Sequence, residues 1–331
     1  MKLGTLRNDT RDGALCVVSR DLKVGAIAFD IAPTLQAALD DWDYASPRLE
    51  ALYDALNRDA APSSAFDIDF TRFQAPLPRA YQWIDGGGYA SHAERLKLGR
   101  GARNSTDDDA EPQMCWLGSD ALIGANDSIV AASEEWGIDP AGKLGVITGD
   151  VPMGVRHDKV GGYVRLLTLL NDVCLRNFEL TGVDSASVAL QSKISAAFAP
   201  VAVTSDELGD AWDGRKVKLA LVVRVNEDTL GQPNAGTDMS FNFPRLISHA
   251  ARTRSLGAGT IISAGTVSNK DLSVGFASIA EKRAIEIINH GTAMTPFLRF
   301  GDRVRLEMLD LHGGSIFGPI DQTVVPQVDG R

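Results

Sequence analysis

Three consecutive glycines in IDGGGY, residues 84 to 89, are the first feature of this 331-residue chain that looks like a ligand-binding device. A phosphate-cradling loop needs the GxxxxGK[ST] spacing and a helix behind it, so that backbone N–H groups converge on the phosphate. IDGGGY lacks that spacing and any clear helical pattern after it, so a flexible loop lining a pocket is expected instead of a nucleotide site. His92 stands just beyond. On its own, a histidine beside a glycine loop more often packs or faces water than reacts, and Arg176 and Lys193 taken singly are solvated charges by default. Cys16, Cys115 and Cys174 form no CxxC pair and no even framework. They indicate neither a structural zinc nor a disulfide scaffold, and suit a reducing compartment.

The elements that must position these groups can be read from periodicity. Residues 2 to 30 alternate apolar runs (ALCVVS, VGAIAF) with polar turns such as RNDTRDG, the pattern of a small antiparallel sheet. Leu35, Leu39 and Trp42, then Leu49, Leu52, Tyr53 and Leu56, stand at helical spacing and predict a helix or helix pair interrupted near Pro47. RDAAPSSAFDIDFTRFQAPLPR reads as a linker. From about residue 80 short β-like runs dominate (KLGVITG, KLALVVRVN, GTIISAGTV, RVRLEMLDL), with helical patterns chiefly in GGYVRLLTLLNDVCLR and FPRLISHAARTRS. Such an order predicts an α+β fold or a closed β-sandwich over a Rossmann alternation, divided into a small unit at 1–75 and a larger one at 76–331.

Lys plus Arg number 33 against 43 Asp plus Glu, a net charge of −10. That excess of acid disfavours a nucleic-acid or anionic-membrane surface and leaves a small molecule or a protein as the expected partner. No apolar run approaches the length of a membrane span and the N-terminus MKLGTLRNDTRDG has no apolar signal core, so a cytoplasmic protein is expected.

In the C-terminal half AFAPVAVTSDELGD, LGQPNAGTDMSFNF, GAGTIISAGTVSN, FLRFGDRVRLEM and GGSIFGPIDQ occur in that order. Together they resemble the fumarylacetoacetate hydrolase family, and SRDLKVGAIAFDIAPTLQAALDDWD resembles the small N-terminal α/β domain of its longer bacterial members. The resemblance implies a mixed β-sandwich roll as catalytic domain, assembled as a homodimer. It also implies chemistry on 1,3-dicarbonyl or 2-oxo acids through an enolate, by C–C bond hydrolysis or related lyase, isomerase or cyclisation steps. Members hold Mg2+ or Ca2+ for this purpose, since a hard cation with oxygen ligands stabilises the developing enolate charge.

Residue by residue the resemblance sets Asp85 at a metal-binding aspartate and His92 at the histidine that takes a proton from water. Glu281, in FASIAEKR, stands at the glutamate that orients the imidazole, although EKRAIEII reads nearly as well as a surface run. Asp172 in LNDVCLR is the next metal-ligand position and Arg176 a substrate-facing cation. Lys193 in QSKIS belongs near the carbonyl that becomes an enolate, and Thr266 in GTVSN near a substrate carboxylate. His157, His249, His290 and His312 match no functional position and are taken as structural.

One stretch departs. Members read like GIDFEAEVAVVTGDVP where this chain has GIDPAGKLGVITGDVP, so Ala141 and Lys143 replace two metal-ligand glutamates. Glu134 and Glu135 lie six or more residues upstream, about 20 Å of extended chain, and cannot substitute. Asp85 and Asp172 remain as residual ligand positions. With an ammonium beside them they make a poor Mg2+ site, and no cofactor is expected unless this reduced site still holds Mg2+ or Ca2+. Three readings stay open: a metal-independent enzyme in which Lys143 replaces the cation, which is preferred; a catalytically silent homologue that binds a ligand or a subunit; and an ordinary Mg2+-dependent hydrolase. In the first, Lys143 acts either as a fixed charge or, less favoured beside two aspartates, as a Schiff-base amine. STDDDAEPQMCWLGSD and FELTGVDSASVALQSK also differ from the common pattern, which points to a different substrate.

Overall fold

The computed structural model describes residues 1–58, 62–101, 111–178 and 191–328. Residues 105–110 of the first divergent segment just named and 179–190 of the second lie outside the described residues.

An eleven-stranded mixed sheet dominates the described residues. Its main path runs Phe66–Asp67, Val24–Ile27, Ala14–Val18, Lys2–Leu6, Val201–Val203, Val164–Asn171, Gly142–Thr148, Ile261–Thr266, Trp83–Gly86 and Met114–Leu117, and Ala197–Phe198 pairs off it onto Val164–Asn171. A second sheet of five strands runs Asp228–Gly231, Leu221–Val225, Arg303–Met308, Ile320–Pro326 and Ile129–Ala131. The two touch where Gly142 meets Leu221 and Leu306, whose methyls lie 2.8 and 3.0 Å from the place a Cβ would take. Most neighbours are antiparallel, but Ile261–Thr266 runs parallel to Trp83–Gly86. The fold is therefore α+β, with mixed sheets packed face to face.

The N-terminal strands continue the large sheet, because Lys2–Leu6 pairs antiparallel with Val201–Val203. Leu3 and Leu49 share one buried cluster with Ile147, Leu166 and Phe198, so the core runs without a break between the N-terminal region and the centre of the chain.

Local order departs from the sequence expectation in four places. The run in GGYVRLLTLLNDVCLR is a strand, Val164–Asn171, and Leu166 to Asn171 are all buried. A central strand covered on both faces needs no alternation, and a short apolar run carries no period that separates it from a helix. The helical break falls at Asp41, between Leu35–Asp40 and Trp42–Leu56, and Pro47 lies inside the second helix. Pro47 removes one backbone bond near the helix start, while Leu49, Tyr53 and Leu56 bury a face that keeps the helix together. The expected linker carries a strand, Phe66–Asp67, paired to Val24–Ile27. Finally, a helix does follow IDGGGY: Ala90–Gly99, whose buried residues are Ser91 and Arg95. A polar buried face leaves no hydrophobic period to read.

FPRLISHAARTRS forms the helix Phe243–Ala250, with Asn242 accepting from Arg245 N at its start. EKRAIEII lies in Ile279–His290, which Ser278 caps and Gly291 ends in the left-handed region. No helix among the described residues is long and apolar enough to cross a membrane.

Candidate active site

Strand Gly142–Thr148 sits in the middle of the large sheet, and its register sets Lys143 opposite Leu170 on one side and Thr266 on the other. Side chains alternate along a strand. Gly142 faces the five-stranded sheet, so Lys143 leaves from the other face. There its Nζ donates to Asp85 Oδ2 and to Asp172 Oδ2, both at 2.6 Å. Ala141, two residues before Lys143, is fully buried and offers no side-chain oxygen.

The neighbouring strand holds Asp85 in place. Its register with Gly142–Thr148 shifts between Ser263 and Thr266, where Gly265 takes a φ of 79°. A side chain there would be strained, and a Cβ would stand 2.5 Å from the Gly86 carbonyl. The irregularity turns Gly265 N–H onto Asp85 Oδ1 at 3.2 Å, and Ser263 Oγ donates to the same oxygen at 2.5 Å. Trp83 Nε1 donates to Ser263 Oγ at 2.8 Å, which commits the serine proton to the aspartate. The loop after Asp85 is packed, not open: Gly88 N–H donates to the Ala264 carbonyl at 2.9 Å, and a Cβ on Gly88 would stand 2.4 Å from that oxygen.

Asp172 Oδ2 also accepts from Lys193 Nζ at 2.6 Å, and the same nitrogen lies 2.6 Å from Cys174 Sγ. Burial opposes charge on all three groups, but mutual attraction outweighs it. The lysines are held above their ordinary range, and the Asp172 carboxyl is pushed down to about 2. A Lys143 locked as an ammonium is no nucleophile, which disfavours the Schiff-base alternative.

Whether a divalent metal fits follows from these donors. Asp85 spends both oxygens on Ser263, Gly265 and Lys143, and Asp172 spends Oδ2 on two ammoniums. Asp172 Oδ1 is buried without a hydrogen-bond partner, and is the one carboxylate oxygen of this pair left over. No group of three or more His, Cys, Asp or Glu side chains placed to hold a metal ion occurs among the described residues. A hard cation asks for six or more oxygens, or an octahedron completed by water, and tolerates no ammonium in its shell. The residues present do not fit Mg2+ or Ca2+.

A second cluster borders the first. His92 Nδ1 meets Glu281 Oε2 at 2.8 Å. A carboxylate partner assigns the proton to Nδ1 and leaves Nε2 as the basic nitrogen. Glu281 is fully buried, which excludes the surface role its local sequence allowed. Burial opposes its charge, yet contacts from His92, Ser268 and Arg95 overcome this and hold the carboxyl below its usual range. Ser268 Oγ donates to Glu281 Oε1 at 2.6 Å and Arg95 Nη1 at 2.5 Å, while Arg95 Nη2 donates to the carbonyls of Asn269 and Lys270.

Arg176 Nε donates to Asp139 Oδ2 at 2.8 Å, and Asp139 Oδ1 accepts the N–H groups of Ile279 and Ala280 at the start of helix Ile279–His290. Arg176 is thus tied to the element that carries Glu281. A cavity of about 880 Å³ joins these groups: Asp85, His92, Lys143, Arg176, Lys193 and Thr266 all line it. Asp172 lies just behind, lining a smaller cavity of about 330 Å³ with Lys193.

Sequence reasoning did not find Arg95, Ser268, Ser263 or the cavity residues Trp116 and Arg254, and it set His249 aside as structural although His249 lines the cavity. Arg95 stands at i+3 from His92 and i+4 from Ser91, so it neighbours both on the helix surface, a signal available only once Ala90–Gly99 is known to be helical.

Comparison with known proteins agrees with this architecture. Curated relatives include oxaloacetate tautomerase YisK of Bacillus subtilis, 24% identical over 74% of this chain and 72% of that one. Another is 2-dehydro-3-deoxy-D-arabinonate dehydratase of Saccharolobus solfataricus, 27% identical over 70% and 76%. Among solved structures, maleylpyruvate hydrolase from Sphingobium sp. SYK-6, in complex with manganese(II) and pyruvate, superposes with a TM-score of 0.66 at 18% identity, covering 99% of this chain and 100% of that one. A family model for the fumarylacetoacetase N-terminal domain 2 matches residues 1–79, and one for the fumarylacetoacetate (FAA) hydrolase C-terminal domain matches 82–325. The chain belongs to the fumarylacetoacetate hydrolase family of enzymes.

Proposed function

We propose that the protein acts on a 2-oxo acid or 1,3-dicarbonyl acid through an enolate-like intermediate without a divalent metal, with Lys143 supplying the positive charge. The observation that carries this reading is Lys143 Nζ bonded at 2.6 Å to both Asp85 and Asp172 on the wall of the cavity. An ammonium has three protons. Two are taken by the aspartates, and the third is left to donate to a substrate oxygen. Lys193, bonded to Asp172 and touching Cys174, adds a second ammonium to the same wall. Fixed donors aimed at an oxygen that gains charge lower the barrier because they need no reorganisation during reaction. His92 Nε2, with its other nitrogen held by Glu281, takes the proton from the substrate carbon or from water. Thr266 and Arg176 on the cavity wall orient the substrate carboxylate. The relatives' names, a tautomerase, a dehydratase and a hydrolase of oxo acids, support an oxo-acid substrate.

The test is turnover of a panel of 2-oxo and 1,3-dicarbonyl acids by protein dialysed against EDTA, read as enol–keto interconversion by ultraviolet absorbance and as cleavage products by NMR. Turnover that persists in EDTA and is lost in His92→Ala supports the reading. Turnover that needs added Mg2+ or Mn2+ contradicts it. A second reading is favoured by the charge balance of Lys143, Lys193, Asp85 and Asp172, which is closed without a ligand: the cluster is structural and the protein only binds. Acids that bind but are never turned over, with and without metal, would favour that alternative.

A further inference from the structure

The cavity has a second cationic end that the chemistry around Lys143 does not use. Arg254 lies with its guanidinium carbon 4.4 Å from the Trp116 ring centroid, and both residues line the cavity that holds Lys143. The other fixed cations on the cavity wall each have a carboxylate partner in the chain: Lys143 has Asp85 and Asp172, Lys193 has Asp172, and Arg176 has Asp139. Arg254 has no ion pair among the described residues, and its Nε is buried without a hydrogen-bond partner. Stacking on an indole fixes the plane of a guanidinium while leaving its edge open for a carboxylate. The site is thus ordered in advance and short of an anion.

Its position sets what the anion is attached to. Trp116 belongs to Met114–Leu117, three strands along the sheet from Gly142–Thr148, and neighbouring strands lie about 4.8 Å apart, so the two ends are separated by about 14 Å of sheet. Lys143, Trp116 and Arg254 nevertheless line one cavity of about 880 Å³, so a single extended small molecule can touch both ends. His249 lines the same cavity, with its Nδ1 4.0 Å from Glu111 Oε2. We propose that Arg254, stacked on Trp116, is an anion subsite that binds a carboxylate at the far end of the substrate, so that the substrate is a dianionic oxo acid. The proposal rests on the reading of Lys143 as the site of the oxo-acid head.

The experiment compares two probes by calorimetry in EDTA: 2-oxoadipate and 2-oxohexanoate, which differ only in carrying a carboxylate or a methyl at the far end. Wild-type protein should bind 2-oxoadipate about ten- to a hundredfold more tightly, the range expected for a charge-assisted, partly buried contact. Arg254→Gln should bring the ratio close to one while leaving 2-oxohexanoate affinity unchanged, Arg254→Lys should keep part of it, and Lys143→Met should weaken both probes alike. Equal binding of the two probes to wild type, or a ratio untouched by Arg254→Gln, overturns the subsite and leaves the reading of Lys143 standing. Failure of both probes to bind overturns the subsite together with the reading on which it rests.

Discussion

Lys143 and Lys193 donate to one and the same oxygen, Oδ2 of Asp172, each at 2.6 Å. Two ammoniums bridged by a buried carboxylate, with Asp85 closing the other side, form a charge cluster that is neutral as a whole and costly to break in part.

Removing one member is therefore expected to hurt stability more than removing a matched pair. Lys143→Met leaves Asp85 and Asp172 facing each other with a charge missing between them, and should lower the unfolding free energy by about 3 to 5 kcal/mol. Adding Asp85→Asn to it should restore part of that loss. Urea denaturation of the three proteins checks this, and a single variant as stable as wild type would show that the cluster is not formed.

Asp172 gives the acid limb. Its carboxyl is pushed down to about 2, against an ordinary 3.8, by the two lysines overcoming burial. A depressed folded-state pKa stabilises the fold above the unfolded value, and this contribution fades as pH falls from about 4 towards 2. The lysines, raised in the fold, act at the other end: their contribution is whole below the ordinary lysine range and is lost only as pH climbs past it. Thermal melts of wild type should fall steeply between pH 4 and 2, and Asp172→Asn should flatten that segment of the curve. An unchanged slope would place the acid sensitivity elsewhere.

Arg95 acts through Glu281. With its guanidinium 2.5 Å from Oε1, it helps keep the carboxylate charged and so holds the His92 proton on Nδ1. Arg95→Met should raise the Glu281 pKa and move the acid limb of the pH–rate profile to higher pH, with kcat near neutral pH lower by about tenfold. Arg95→Lys should recover part of it. A loss of activity with an unshifted profile would mean Arg95 only supports folding.

Much of this was legible from the residues, and the gaps have physical causes. Val, Ile and Leu runs such as KLGVITG and GTIISAGTV marked strands because their composition suits a covered sheet. LLTLL did not, since a run buried on both faces loses the period that identifies it. The motifs around Asp85, His92 and Glu281 singled out residues that the fold brings together across 189 positions in the case of His92 and Glu281. Arg95 and Arg254 escaped because their meaning lies in partners far along the chain, Glu281 for one and Trp116 for the other, and no local pattern announces such contacts. The replacement at 141 and 143 was visible at once, but only the geometry shows Lys143 seated between two carboxylates.

The same replacement can be reversed. Ala141→Glu with Lys143→Glu removes the ammonium and adds two oxygen donors on the side of the strand that faces Asp85 and Asp172, enough for a hard-cation shell. Titration with Mn2+ followed by electron paramagnetic resonance should show about one tightly held ion per chain in the double variant and none in wild type. A double variant that stays folded and takes up no ion would mean that the two positions do not face the carboxylates.

The most direct measurement is the metal content of the purified protein, taken together with its turnover of a 2-oxo acid before and after dialysis against EDTA. The expected result is a content far below one divalent ion per chain and turnover that EDTA leaves intact but Lys143→Met abolishes. About one tightly bound Mg2+, Mn2+ or Ca2+ per chain, with turnover lost to EDTA and restored by adding the ion back, would contradict the assignment of the cation's role to Lys143.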